Sequence, residues 1–176
     1  SGHGEEDPLS GKLNGPEVEA WLEGGRVTLV EARQRPDFTG DSGILRASEK
    51  IRIEPAGPKS GLLRTEGDST FTGDSMTIVG RSFLINVRDN EQVFNTASRA
   101  TLKSAGLTTV ADKTEAHLDT RTKMLTTMQQ AGNVTFEEDK SGRKGAAGKL
   151  AIRNAGDLIE LEADKPNVLP WFKDAQ

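Results

Sequence analysis

His117 is the only histidine outside the opening Ser1-Gly2-His3-Gly4, and the chain contains no cysteine. Metal sites draw on several His, Cys or carboxylate ligands, and no such group stands at ligand spacing, so His117 reads as a strand-surface residue. Asp112, Glu115 and Asp119 are close in sequence, but alternation along a strand splits them across both faces. A pair of carboxylates working as acid and base must face each other in a pocket; these read as solvated strand edges. Ser-His-Asp chemistry would rest on His117 alone, with no nucleophile elbow around any serine. The expectation is therefore a protein that is not an enzyme and carries no metal or cofactor. Gly142-Arg143-Lys144-Gly145 has the flavour of a phosphate loop, yet it lacks the full glycine-to-lysine spacing and a following helix. It reads as a hairpin tip. Lys140, Arg143, Lys144 and Lys149 make a local basic spot that could meet phosphates, weighed against a plain solubilising turn.

The elements that would carry these residues are short and alternate apolar with polar. Between Ala111 and Val168 the pieces are Ala111 to Asp119, Lys123 to Thr126, Gly132 to Phe136, Gly148 to Arg153 and Leu158 to Leu161. Turn residues close each one, at 119–121, 139–142 and 154–157. Turns recurring every 8 to 12 residues or so describe antiparallel strands in a sandwich, barrel or roll. Upstream, Gly24-Gly25 joins two strands in a hairpin pattern. Ala47 to Glu54 puts Ile51 and Ile53 on one face, and Phe83, Ile85 and Val87 share a face further on. Residues 33–43 read as a loop or broken connection. Only 121–131 could be argued as helix, and Thr126-Thr127 with Gly132 favour strand there too. A faint repeat runs through the chain. Ala47-Ser48-Glu49-Lys50, Ala97-Ser98-Arg99-Ala100 and Ala111-Asp112-Lys113 resemble one another, and Gly67-Asp68-Ser69-Thr70-Phe71 has the spacing of Gly132-Asn133-Val134-Thr135-Phe136. Units of this kind bury their apolar face only by stacking.

With 176 residues the chain fits one domain. Hydrophobic residues make up 34%, which suits a thin core lined by one face of each strand. A formal charge of −4 with acids and bases interspersed argues against nucleic acid, which needs a concentrated basic patch. No apolar run approaches the ~20 residues of a membrane-spanning helix. Residues 1–16 read as a disordered tail with a cloning scar, 17–170 as the domain, and 171–176 as a C-terminal tail.

Four stretches, Ala111 to Leu118, Gly132-Asn133-Val134, Ala147-Gly148-Lys149-Leu150-Ala151-Ile152 and Ile159-Glu160-Leu161, together resemble the OstA-like family of lipopolysaccharide-export proteins. The resemblance covers about 60 C-terminal residues well. Residues 44–105 look more like the family's membrane-anchored member. His117 and Ile152 stand where the family often has an aromatic residue.

The resemblance implies an all-β fold, an antiparallel β-jellyroll open like a V and built from repeated short strands, whose inward face holds acyl chains. It also implies a place in the periplasm, either soluble or anchored to the inner membrane by a segment outside this chain. The partners it implies are lipopolysaccharide or a related lipid, and other jellyroll domains of the same export pathway joined through edge strands. An acyl chain needs only a continuous apolar lining, favoured by about 25 cal/mol per Å² buried. The candidate lining is Ile51, Ile53, Phe83, Ile85, Val87, Leu102, Leu118, Val134, Phe136, Leu150, Ile152, Ile159 and Leu161. Pattern alone favours an ordinary closed core for this row, and the resemblance turns the reading toward a groove. On the same reading Lys140, Arg143, Lys144 and Lys149 would meet lipid phosphates. The alternative is a structural or adhesion-type β-repeat protein that associates through sheet edges and carries no lipid. Either reading predicts head-to-tail association between residues 158–163, before Pro166 and Pro170, and an opposite edge at residues 18–30.

Overall fold

The computed structural model describes Leu9 and residues 11–58, 60–153, 158–163 and 171–173, all of them in strands, turns or connections and none in a helix. The expected turn at 154–157 and the prolines at 166 and 170 lie outside the described residues.

The strands come in hairpins that alternate between two sheets. β1 (Gly11–Asn14) belongs to sheet II and the hairpin β2 (Glu17–Glu23) and β3 (Arg26–Arg33) to sheet I. β4 (Asp37–Gly40) and β5 (Gly43–Ala47) return to sheet II, β6 (Lys50–Gly57) and β7 (Ser60–Glu66) to sheet I. β8 (Asp68–Gly73) and β9 (Met76–Arg81) lie in sheet II, β10 (Phe83–Arg88) and β11 (Glu91–Thr96) in sheet I. β12 (Ala100–Ser104) and β13 (Leu107–Ala111) follow in sheet II, then β14 (Lys113–Asp119) in sheet I. The long strands β15 (Leu125–Glu138) and β16 (Lys144–Arg153) each cross from one sheet to the other, and β17 (Leu158–Glu162) and β18 (Trp171–Lys173) pair with opposite halves of β16. Every pairing is antiparallel, and β3–β6, β7–β10 and β11–β14 extend sheet I as β5–β8, β9–β12 and β13–β15 extend sheet II. The result is an all-β roll of two sheets, of jellyroll type.

This topology gives the roll two unlike sides. On one, which we call the seam, the chain steps from sheet to sheet at tight corners. Gly67 and Gly132 turn there with φ of 81° each, and Gln34, Arg35, Ser82 and Asn133 also take positive φ. A left-handed residue reverses the chain sharply, and glycine does so without a Cβ penalty. Backbone bonds lock the corners together, as from Ser48 N–H to Asp68 O at 2.8 Å and from Asp112 N–H to Gly132 O at 2.9 Å. On the other side, the mouth, the hairpin turns of the two sheets face each other.

Alternation puts one face of each strand inward, and Phe38, Leu45, Ile51, Phe71, Ile78 and Phe83 are among the buried side chains joined in one core. Each large apolar side chain so buried contributes about 1.5–3 kcal/mol. The row nearest the seam is more polar. Thr65, Ser69, Thr96, Thr114 and Gln130 are buried there. The Ser69 hydroxyl donates to Thr65 Oγ1 at 2.6 Å, and Thr65 Oγ1 also accepts the Phe83 N–H at 2.8 Å.

Three boundaries differ from the sequence reading. Residues 33–43 hold β4, a four-residue strand disguised by Pro36 before it and Gly40 at its end. Strand pairing begins at Gly11 rather than 17, because β1 completes sheet II against β4. Pairing also resumes at Trp171, opposite Ala146. Residues 125–131 are strand, with no helix.

Candidate functional site

Between the sheets, on the mouth side, lies a cavity of about 300 Å³. Its walls are apolar on both sides: Phe38, Leu45 and Phe71 come from sheet II, and Leu63, Ile85 and Phe94 from sheet I. Val87 lies on the same wall, and Asp41, Asp89, Asn90, Gln92 and Arg121 form the polar rim. The Phe71 and Phe94 rings meet across the gap with centroids 4.6 Å apart and planes tilted by 46°, a favourable tilted arrangement for an aromatic pair. Both rings line the cavity.

Beyond the cavity the mouth is latched. Ser75, in the β8–β9 turn of sheet II, donates its hydroxyl to the Lys123 carbonyl at 2.7 Å and accepts the Leu125 N–H at 3.1 Å. Ser104 in turn donates to the Ser75 carbonyl at 2.8 Å. One side chain thus ties sheet II to the β14–β15 turn of sheet I. The expected open V is realised on one part of the mouth and bridged on the next.

The expected lining row divides in the same way. Ile85 and Val87 line the cavity. Ile51, Ile53, Phe83, Leu102, Leu118, Val134, Leu150 and Ile152 are buried at 7% exposure or less, in the closed interior. Phe136 and Leu161 are partly buried against that core. The Phe136 ring lies over Gly145, its cross-strand partner, where any Cβ would collide with it. Ile159 is 51% exposed, although it stands opposite Ile152 in the register of the inward face. It lies on an outer strand, which no further described strand covers.

The four basic residues do not converge. Lys140, Arg143 and Lys144 share the β15–β16 tip, on the mouth side of sheet II. Lys144 faces Glu137 at 3.6 Å. Lys149 lies near the seam, where β16 crosses between sheets, and pairs with Glu162 at 3.4 Å. The carboxylates are dispersed as well. Asp112 is at a seam corner, Glu115 on the outer face of sheet I, and Asp119 at the end of β14, where the β14–β15 turn begins. His117 sits on that outer face, its Nδ1 2.5 Å from Glu91 Oε1 and its Nε2 3.8 Å from Glu115 Oε2. Among the described residues no three His, Cys, Asp or Glu side chains are grouped to hold a metal ion.

Two carboxyls are held below the ordinary range. Asp112 accepts from Asn133 Nδ2 at 2.8 Å and from Arg99 at 3.0 Å, and these bonds stabilise its charged form. Asp119 accepts the Thr122 N–H at 2.9 Å and the Arg121 N–H at 2.8 Å, with the same effect.

Sequence reasoning missed Phe38, Leu45, Leu63, Phe71 and Phe94. Val93-Phe94 offers two adjacent apolar residues, so a period of two cannot choose which points inward; Val93 is buried on the other face. Phe38 was hidden in the stretch taken for a loop. Phe71 carried a signal, because it closes the Gly67-led copy of the repeat.

Fold and cavity together define a class: a two-sheeted β-roll with an apolar interior open at one part of its mouth. No family model matches the chain, and no curated protein matches it in sequence.

Proposed function

We propose that this chain is a non-enzymatic lipid-transport module of the lipopolysaccharide-export type, working in the periplasm. It takes acyl chains of a lipopolysaccharide-like amphiphile between its sheets and passes them toward the outer membrane. The observation that carries this reading is the cavity opening between the sheets at the mouth, whose apolar walls meet an equally extensive polar rim where a headgroup would sit. An engineered apolar cavity of about 150 Å³ takes a benzene, so this one has room for roughly a dozen carbons, or a segment of one chain. Further chains require the sheets to part where Ser75 joins them. Lys140, Arg143 and Lys144 share the β15–β16 tip on the mouth side but do not line the cavity, so they would meet phosphates only of a lipid that lies along the mouth toward that tip.

An apolar fluorescent probe tests the reading. The native protein should take up the probe and release it to lipid A. Val87→Glu places a charge on the cavity wall beside the hairpin tip, and should abolish uptake while the protein remains folded. Uptake that survives in Val87→Glu, or no uptake by the native protein, overturns the proposal.

The edges favour a second property, pairing with other jellyroll domains or with copies of this chain. Val18 and Leu22 on β2 are 49% and 64% exposed, and Leu158 and Ile159 on β17 are 43% and 51% exposed. Outer strands with free backbone groups and apolar side chains recruit further strands. A contact between unlike ends builds open chains. Sedimentation should show mass rising with concentration, and Ile159→Pro should lower it by removing a backbone donor. A monomer at every concentration in the native chain refutes self-association. This property alone, without probe uptake, is what a structural repeat protein would show.

A further inference from the structure

On the outer face of sheet II, against the seam, four arginines line one cleft of about 660 Å³: Arg35, Arg46, Arg81 and Arg99. Two aspartates, Asp37 and Asp68, share its wall, so the cleft carries a local excess of two positive charges in a chain whose formal charge is −4. The topology explains the gathering. Arg35, Arg81 and Arg99 each come from a corner where the chain passes between sheets, and stacked hairpins bring those corners into line. Arg46 stands on β5 directly opposite Asp37 on β4.

The existing pairings leave two guanidinium groups over. Arg81 meets Asp68 at 3.3 Å. Arg99 meets Asp112 at 3.0 Å and also donates to the Asn133 carbonyl at 3.0 Å. Asp37 accepts from Asn14 Nδ2 at 2.9 Å. Arg35 and Arg46 have no ion-pair partner among the described residues, and both are exposed to water in the cleft. Arg35 is also held at φ 58°, after Gln34 at 63°, a backbone region that costs a non-glycine residue roughly 1–2 kcal/mol. Among the described residues no hydrogen bond or ion pair uses the Arg35 side chain.

We propose that this cleft binds a phosphate group, held between the forks of Arg35 and Arg46. A guanidinium offers two parallel N–H donors, which match two oxygens of a carboxylate or phosphate. Two forks offer more donors than a carboxylate's two oxygens meet in one plane, whereas a phosphate spreads its charge and lone pairs over more oxygens in three dimensions and suits two forks better. The Thr70 side chain, half-buried beside Arg46 on the neighbouring strand, adds a hydroxyl. The phosphate can belong to a soluble ester or to a lipid headgroup at a membrane surface. This site lies on the outside of sheet II and depends on neither the mouth nor the lipid reading.

The test compares the native chain with Arg35→Gln/Arg46→Gln, and with Arg26→Gln/Lys103→Gln as a control of equal charge change elsewhere. Two probes are used, inorganic pyrophosphate by calorimetry and vesicles of phosphatidylcholine with phosphatidic acid by co-sedimentation. Measurements start at about 0.01 M ionic strength, where exposed charges are least screened. The native chain and the control should bind at least one probe, and the cleft variant should bind it at least about tenfold more weakly. Pyrophosphate binding assigns a soluble phosphate, and binding to vesicles alone assigns a headgroup. Arg46→Lys keeps the charge but not the fork and should lose part of the affinity. All substituted side chains are exposed, so thermal unfolding should match the native chain. The proposal is overturned if the native chain binds neither probe, or if the cleft variant and the control lose affinity equally.

Discussion

Along the seam the two sheets are joined by the chain itself at corner after corner, whereas at the mouth they meet only through turns and side chains. The interior is correspondingly closed on one side and open on the other. Near the seam the inward row includes hydroxyl and amide side chains that bond one another, as Gln130 Nε2 donates to Thr114 Oγ1 at 3.1 Å. Near the mouth the inward residues are aromatic and aliphatic, and a cavity remains between them. Covalent corners hold the sheets close, and the polar groups there are matched only in part: Thr96 Oγ1 and Gln130 Oε1 are buried without a hydrogen-bond partner among the described residues. Hairpin tips impose no such distance, and the cavity between the sheets opens on that side.

The sharpest way to break this contrast is to place the same charge on each side. Phe83 starts β10 just after the seam corner and is 2% exposed. Phe83→Glu buries an unpaired carboxylate among apolar neighbours and should cost more than about 4 kcal/mol. An ordinary domain has roughly 5–15 kcal/mol of stability in all, so such a cost takes from about a quarter to most of it. Val87 is equally buried, at 2% exposure, but it lines the mouth cavity with Asp89, Asn90 and Gln92. Circular dichroism should therefore show loss of the sheet signal for Phe83→Glu and its retention for Val87→Glu. If the two variants unfold alike, the mouth is no more open than the seam.

A smaller effect is expected from the latch. Ser75→Ala removes one hydroxyl that bonds both Lys123 and Leu125, and should cost about 1 kcal/mol in chemical denaturation. The same change should speed probe uptake, because the tie between sheets is gone. Unchanged uptake kinetics would show that the mouth opens elsewhere, at the cavity alone.

How much of this was legible beforehand follows from where each signal is written. The strands were readable because apolar residues alternate in Ile51-Arg52-Ile53 and Phe83-Leu84-Ile85. The faint repeat was in fact the seam: Ala47-Ser48-Glu49, Ala97-Ser98-Arg99 and Ala111-Asp112 are corners, and Gly67 and Gly132 turn with the same φ. A corner demands a small or left-handed residue followed by a strand, so it recurs even when the rest diverges. The division of the inward row was not readable. Phe83 and Val87 share one face of one strand, and only the packing of the opposite sheet separates closed core from cavity wall. The arginine cleft was equally hidden, since Arg35, Arg46, Arg81 and Arg99 are spread over more than sixty residues and meet only when the hairpins stack.

The smallest effect lies in acid, and it again sets seam against mouth. Asp112 and Asp119 both have folded pKa values below the ordinary carboxylate value, the first through Asn133 and Arg99, the second through the Thr122 and Arg121 amides. A carboxyl whose pKa is lowered on folding contributes stability that is present above its unfolded value, about 3.9. That stability is lost as pH falls through the lower folded value. The melting temperature should therefore fall below about pH 4, and Asp112→Asn and Asp119→Asn should each flatten that fall. The two differ in what acid releases. Asp119 also accepts the Lys123 N–H through its backbone carbonyl at 2.8 Å, and the Lys123 carbonyl receives the Ser75 hydroxyl. Protonating Asp119 loosens the turn that holds the latch, whereas protonating Asp112 loosens only a seam corner that backbone bonds still fasten. Probe uptake should quicken in acid for the native chain and should already be quick at neutral pH in Asp119→Asn, but not in Asp112→Asn. Equal uptake by the two variants at neutral pH would mean that the seam, too, yields when one side chain lets go.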